Sequence, residues 1–219
     1  LLASAALIVP FQAAKAENTY VEPPVFSSKN GLLDIVMIAK AKEVPSIVFL
    51  PPGKGPMHPI GWVYEICERK DSINNSCPPG AKTSSDWGGI RLALQKGDTL
   101  NVRLVNRLPK QDKNKVSHYW NMNSPVPIVD QMGVNLPLSE TNIHTHGLVV
   151  QARAPSKSNP TWGDDIYVAL FNPANGFPLP IGMDHGAIVY NDSGILDYDI
   201  YLPKNIPSGI DWYHSHIHG

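Results

Sequence analysis

Short runs of apolar residues, many of them alternating with polar ones, recur along the chain between turn-forming residues. In 99–106 the apolar side chains of Leu100, Val102 and Leu104 fall at every second position, which predicts a strand with one buried face. Similar runs predict further strands at 31–38, 61–67, 89–94, 139–150, 165–171, 186–190, 196–202 and 210–216. The sequence carries no heptad, no internal repeat and no amphipathic helix of useful length. The pattern predicts an all-β fold.

Three stretches interrupt this rhythm, at 51–59, 109–137 and 152–180. They are rich in Pro, Asn, Ser or Lys, and we expect them to be long surface loops. The content of 21 Pro and 17 Gly also favours a β protein over a helical one. At 219 residues the chain is long enough for one large domain or two small ones, and we favour one, over 17–219.

The N-terminal residues 1–16 form an apolar run that ends in Ala14-Lys15-Ala16, an A-x-A cleavage pattern. We interpret this run as part of a signal peptide, which predicts a periplasmic or secreted protein. A buried first strand or a short membrane anchor is the alternative. The run is short and interrupted by Pro10, so we expect no membrane partner. The net charge of -1 makes nucleic acid an unexpected partner too.

The chain contains two cysteines, Cys67 and Cys77. The residues between them form turns readily, and an exported protein meets an oxidising environment, so a local disulfide is predicted. The alternative is that one of them is a metal thiolate, but neither has a histidine beside it.

Five of the eight histidines lie in two short segments near 144 and 216. His144 and His146 form one His-x-His unit, and His214 and His216 form another. On a strand, side chains two residues apart point to the same face, so each unit directs two imidazoles the same way. Two such units on neighbouring strands would bring four nitrogen donors together. Imidazole binds copper, zinc, iron and nickel, so this pattern predicts a transition-metal site.

The residues around the histidines resemble those of a known family. Residues 142–148 (NIHTHGL) resemble the first histidine motif of the multicopper oxidases, which include laccases and bilirubin oxidase-like enzymes. Residues 212–216 (WYHSH) resemble the second motif, and 217–219 resemble a bacterial variant of it. Residues 96–108 are similar to the strand that precedes the first motif. The resemblance covers roughly 31–219.

This resemblance implies a cupredoxin-like Greek-key β-sandwich with long loop insertions, the plastocyanin-like first domain of a bacterial-type oxidase. Such enzymes couple oxidation of a small reducing substrate (phenolic, bilirubin-like or a metal ion) to reduction of dioxygen to water at a trinuclear copper cluster. By motif position, His144 would bind the type 2 copper, and His146, His214 and His216 the type 3 pair. The other ligands would come from a C-terminal cupredoxin domain of the same enzyme or of a neighbouring subunit.

The resemblance also suggests roles for Asp164 and His218, while the expectations for the other residues come from their surroundings in the sequence. Asp164 is the nearest match to an acidic residue that could deliver protons, although a loop aspartate often only caps a turn. His218 is expected to support or pack against the ligands rather than bind metal. Trp212 and Tyr213 are interpreted as packing residues rather than electron carriers. His58, His118 and His185 are expected to be exposed or hydrogen-bonded histidines.

The third and fourth histidine motifs, and the His-flanked cysteine of a type 1 copper site, do not occur in the sequence. We therefore expect an N-terminal part of a larger oxidase that is inactive by itself. The alternatives are a copper-binding module without catalysis, part of a small two-domain oxidase, or a mononuclear zinc or iron site.

Overall fold

The computed structural model describes residues 22–44, 48, 52–53, 55–58, 60–84, 89–110, 139–175 and 189–216. Strands predominate in these ranges, with short 3-10 helices at Arg69–Asp71 and Pro173–Asn175. The strands are β1 Val25–Ser27, β2 Leu32–Glu43, β3 Ile60–Glu68, β4 Thr83–Ser84, β5 Arg91–Ala93, β6 Thr99–Arg107, β7 His144–His146, β8 Val168–Leu170, β9 Val189–Asn191, β10 Ile195–Tyr201 and β11 Trp212–His214. The predicted all-β fold is confirmed.

The main sheet has the strand order β10-β6-β2-β3-β4. Strands β2 and β6 are parallel, and the other neighbours are antiparallel. The alternation predicted for β6 is observed, because Leu100, Val102 and Leu104 are buried in the main hydrophobic core. Val168 and Leu170 of β8, and Ile143 next to β7, pack on this side of the sheet and form part of a second layer. None of the helices in the described ranges is long and apolar enough to cross a bilayer.

The second layer contains the first histidine motif. Thr141 and Leu170 exchange backbone hydrogen bonds, which place the motif segment beside β8, while β7 pairs with β11 on its other side. Ile143 is fully buried in the main core together with Val168 and Leu170. The motif is therefore fixed between two strands and packed against the main sheet. The layers are consistent with a β-sandwich, while the Greek-key connectivity stays a prediction.

The disulfide Cys67–Cys77 is present, with a Cα–Cα distance of 5.8 Å, which confirms the predicted pairing. It belongs to a smaller apolar cluster that also contains Val36, Ile38 and Val105. Residues on a strand alternate between faces, so this cluster lies on the side of the main sheet away from the main core. The disulfide and the histidine strands are thus on opposite sides of the sheet.

The structure differs from the sequence prediction in the length of several strands. β2 continues beyond 31–38 to Glu43, because its second half pairs with the first half of β3. β7 is much shorter than the predicted 139–150, since Gly147 turns the chain with a φ of +98°. β1 and β4 were not predicted. The proposed signal peptide, most of 109–137, and His118, His185 and His218 lie outside the described residues.

Candidate metal centre

The pairing of β7 with β11 brings the two His-x-His units together. His214 lies opposite His144, and Trp212 lies opposite His146. Alternate residues of a strand share a face, so these four side chains form a two-by-two grid on one face of the strand pair. The ring centroids of the histidines are 5.6 Å apart for His144 and His146, 5.5 Å for His144 and His214, and 5.7 Å for His146 and His214. The convergence predicted for the two units is observed.

His216 lies one step further along the same face. Its ring centroid is 5.1 Å from that of His144 and 5.5 Å from that of His214. Its backbone N–H donates to the side-chain Oδ1 of Asn142 at 2.6 Å, which holds His216 beside the first motif. The four histidines chosen from the sequence are therefore neighbours.

Three of them lie close enough together to be candidate ligands of one metal ion. The candidate ligand atoms of His144, His146 and His214 all lie within 4.8 Å of one another. Metal–nitrogen bonds of about 2.0–2.1 Å place two donors on one ion at most about 4 Å apart. These nitrogens would therefore have to move slightly closer together to hold one ion.

Hydrogen bonds fix which nitrogen of two rings is available. The Nδ1 of His144 is 3.1 Å from Oδ1 of Asp164, and the Nδ1 of His214 is 2.7 Å from the carbonyl oxygen of Ser215. A carboxylate or carbonyl oxygen accepts a hydrogen bond, so each Nδ1 carries the proton and each Nε2 keeps its lone pair. In metal sites, the ring nitrogen of a ligating histidine that does not bind the metal typically donates such a hydrogen bond.

The Nε2 of His214 is buried and has no hydrogen-bond partner among the described residues. Leaving a buried nitrogen without a partner costs roughly 1–3 kcal/mol, and a bound metal ion would remove that cost. Burial lowers the pKa of His214, and the neighbouring His144, His216 and His146 lower it further, against the opposite effect of the Ser215 carbonyl. The lowered pKa favours the neutral imidazole, which is the form that binds metal. The donor set fits a transition-metal ion.

Asn142 connects the first motif to its surroundings. It is fully buried, and its Nδ2 donates to the backbone oxygen of Ile166 at 3.1 Å while its Oδ1 holds His216. The hydroxyl of Tyr64 donates to the backbone oxygen of Asn142 at 3.0 Å, and burial raises the pKa of this phenol to about 12. Asn142 thus joins the two motif strands and the loop that carries Asp164.

That loop is attached to the main sheet just before Asp164. The backbone N–H of Trp162 donates to the backbone oxygen of Asp197 in β10, and the backbone N–H of Asp199 donates to the backbone oxygen of Trp162. Gly163 follows Trp162. A Cβ at this position would come within 2.5 Å of the backbone oxygen of Gln151, so only glycine fits without a movement of the backbone. This anchoring delivers the buried Asp164 carboxylate to the histidines.

The sequence identified the histidines and Asp164 but missed three supports of the site. These are the Asn142 bridge, the Ser215 carbonyl and the stacking of Trp212, described below. The position of Asn142 two residues before His144 was a usable signal, since a polar side chain that is buried beside the ligands needs hydrogen-bond partners. His58 is exposed, as predicted, in the segment 55–58.

Comparisons with known proteins add no relative. No protein-family model matches the chain, and no curated protein matches its sequence. The function is therefore inferred from the motifs and from the geometry of the histidines.

Proposed function

We propose that the chain is the N-terminal cupredoxin-like domain of a secreted multicopper oxidase, which supplies four histidines to a trinuclear copper cluster. The observation that carries the proposal is the in-register pairing of the two His-x-His units, with the buried Nε2 of His214 left without a partner. The motifs around these histidines favour copper over the other metals that imidazole binds. Bound copper would supply the redox chemistry that transfers electrons from a small reducing substrate to dioxygen.

The residues of this chain have separate tasks in that proposal. His144 would bind the type 2 copper, and His146, His214 and His216 the type 3 pair, with the remaining ligands from a C-terminal cupredoxin domain. Asp164 orients His144 through the contact between Oδ1 and Nδ1. The same carboxylate is our candidate for proton delivery, because it is buried beside the site and touches a ligand. The substrate would be phenolic, bilirubin-like or a metal ion.

Copper binding by the 219-residue chain tests the first part of the proposal. Copper(II) is titrated against a competing chelator, and the wild type is compared with the double variant His144→Ala/His214→Ala. The double variant should lose copper affinity, since it lacks two facing donors of the grid. His58→Ala is the matched control, because His58 is an exposed histidine outside the grid. Equal copper affinity in the wild type and the double variant would rule out the site.

Oxygen reduction tests the second part, in the complete oxidase that we propose contains this domain. His146→Ala or His214→Ala should stop oxygen consumption, since each removes a type 3 ligand. The type 1 copper of another domain should still load, keep its blue absorption and accept electrons from substrate. Oxygen consumption at the wild-type rate in either variant would contradict the assignment.

A copper-binding module without catalysis is the second candidate. The observation that favours it is that three ligand atoms of one chain already lie within 4.8 Å of each other. Such a module would bind a single copper ion per chain, and adding a C-terminal cupredoxin domain would change neither the copper stoichiometry nor oxygen consumption.

A further inference from the structure

The fourth corner of the histidine grid is Trp212. It lies opposite His146 in the pairing of β7 with β11, and it precedes His214 by two residues on the same strand. Its side chain is 56% exposed, so it forms the solvent-facing wall of the site rather than part of the core. The sequence predicted Trp212 to be a packing residue, and the two rings that it packs against belong to candidate ligands.

The indole is stacked on two imidazoles at once. Its centroid is 4.5 Å from the ring of His146, with 17° between the planes, and 4.3 Å from the ring of His214, with 18° between the planes. The planes of the two imidazoles make an angle of 35° with each other. One flat side chain therefore fixes the tilt of a ring on each motif strand.

Metal binding would strengthen these stacks. An imidazole that coordinates a metal ion becomes more electron-poor, and the face of an indole is electron-rich. The stacking thus favours the metal-bound state over the free one, in addition to limiting the rotation of both rings. This advantage would be lost with an aliphatic side chain and partly kept with a phenyl ring.

We propose that Trp212 is a positioning residue of the metal centre, which sets the orientation of His146 and His214 and raises their affinity for the metal. The inference depends on the proposed metal-binding role of these histidines. It assigns to Trp212 a task through the ligands rather than a contact with the metal.

The test compares Trp212→Leu and Trp212→Phe with the wild-type 219-residue chain. Trp212→Leu should weaken copper(II) binding roughly tenfold, because two imidazoles that the indole holds in place would then have to be ordered when the metal binds. It should also change the electron paramagnetic resonance spectrum of the bound copper, because the ligand orientation changes. Trp212→Phe should restore part of the affinity and most of the spectrum. Trp62→Leu is the matched control, since Trp62 is a similarly exposed tryptophan outside the grid.

Tryptophan fluorescence tests the premise that bound copper lies beside Trp212, and it uses the phenylalanine variant rather than the leucine variant. Copper(II) should quench a large part of the emission in the wild type and in Trp62→Leu, and much less in Trp212→Phe. If the wild type binds copper through His144 and His214 but Trp212→Leu, or Trp212→Phe where the leucine variant does not fold, binds copper with the wild-type affinity, the inference is wrong and the proposed function stands. If the wild type binds no copper through these histidines, the proposed function fails first.

Discussion

At the scale of single residues, one oxygen atom of Asp164 serves both the candidate ligand and the strand that carries it. It lies 3.1 Å from the Nδ1 of His144 and accepts the Thr145 N–H at 2.9 Å. Asp164→Ala should weaken copper binding roughly 10- to 100-fold, the usual cost of losing the hydrogen-bond partner of a ligating histidine. Competition titration measures this, with Asp165→Asn as the control from the next position. An unchanged affinity would mean that Asp164 does not orient His144.

Gly147 turns the chain directly after β7, and its backbone conformation shows why a glycine is needed there. Its φ of +98° lies in the region that glycine adopts freely, and a Cβ there would come within 2.5 Å of Oδ1 of Asp211. Gly147→Ala should lower the free energy of unfolding by about 1–3 kcal/mol, mostly through the backbone strain, because the Asp211 side chain can move. Gly209→Ala is the control, since a Cβ there meets no atom within 4 Å. Equal urea midpoints for the two variants would contradict the strain argument.

At the scale of strands, the sequence predicted best where one face is buried and the other is not. Leu196, Tyr198 and Ile200 of β10 alternate with polar residues and enter the core as the pattern requires. The sequence predicted the ends of β2 and β7 poorly. The end of β2 depends on its pairing with β3, and the end of β7 depends on the turn at Gly147. Strand parity predicted which histidines share a face, but not the contacts between distant segments that orient them.

Asn142 is the clearest example of such a contact between distant segments. Asn142→Ala removes an acceptor from the His216 N–H and a donor from the Ile166 oxygen, at a fully buried position. We expect a loss of about 1–3 kcal/mol in the free energy of unfolding, and a larger effect on copper-site geometry than on secondary structure. Urea unfolding and the spectrum of bound copper measure the two effects. Asn172→Ala is the control, because Asn172 also donates to a backbone oxygen, that of Leu108, outside the grid. A copper spectrum like that of the wild type would contradict the bridging role.

At the scale of the whole molecule, Glu140 links stability to pH. Burial raises its pKa to about 8 from an ordinary value of 4.5. The folded state then holds a proton that the unfolded state releases, so the free energy of unfolding falls as pH rises from about 5 to 8, by roughly 3–5 kcal/mol. Glu140→Gln should remove this dependence. Urea unfolding of both proteins at pH 5 and pH 8 isolates Glu140, since the histidines are common to the two. If the free energy of unfolding changed equally with pH in the wild type and in Glu140→Gln, the raised pKa of Glu140 would be contradicted.

A substitution on one face of the main sheet should not affect the residues packed on the other face. The disulfide packs with Val36, Ile38 and Val105 on one face, while the strand that carries His144 packs on the other through Ile143. Cys67→Ala/Cys77→Ala should therefore lower the free energy of unfolding by about 2–3 kcal/mol, through the loss of a short-loop constraint, without changing copper affinity. Urea unfolding gives the first quantity, and copper competition under conditions where both proteins are folded gives the second. A copper affinity that fell with the disulfide would show that the two sides of the sheet are coupled, and the metal centre would then depend on the redox state of a site across the core.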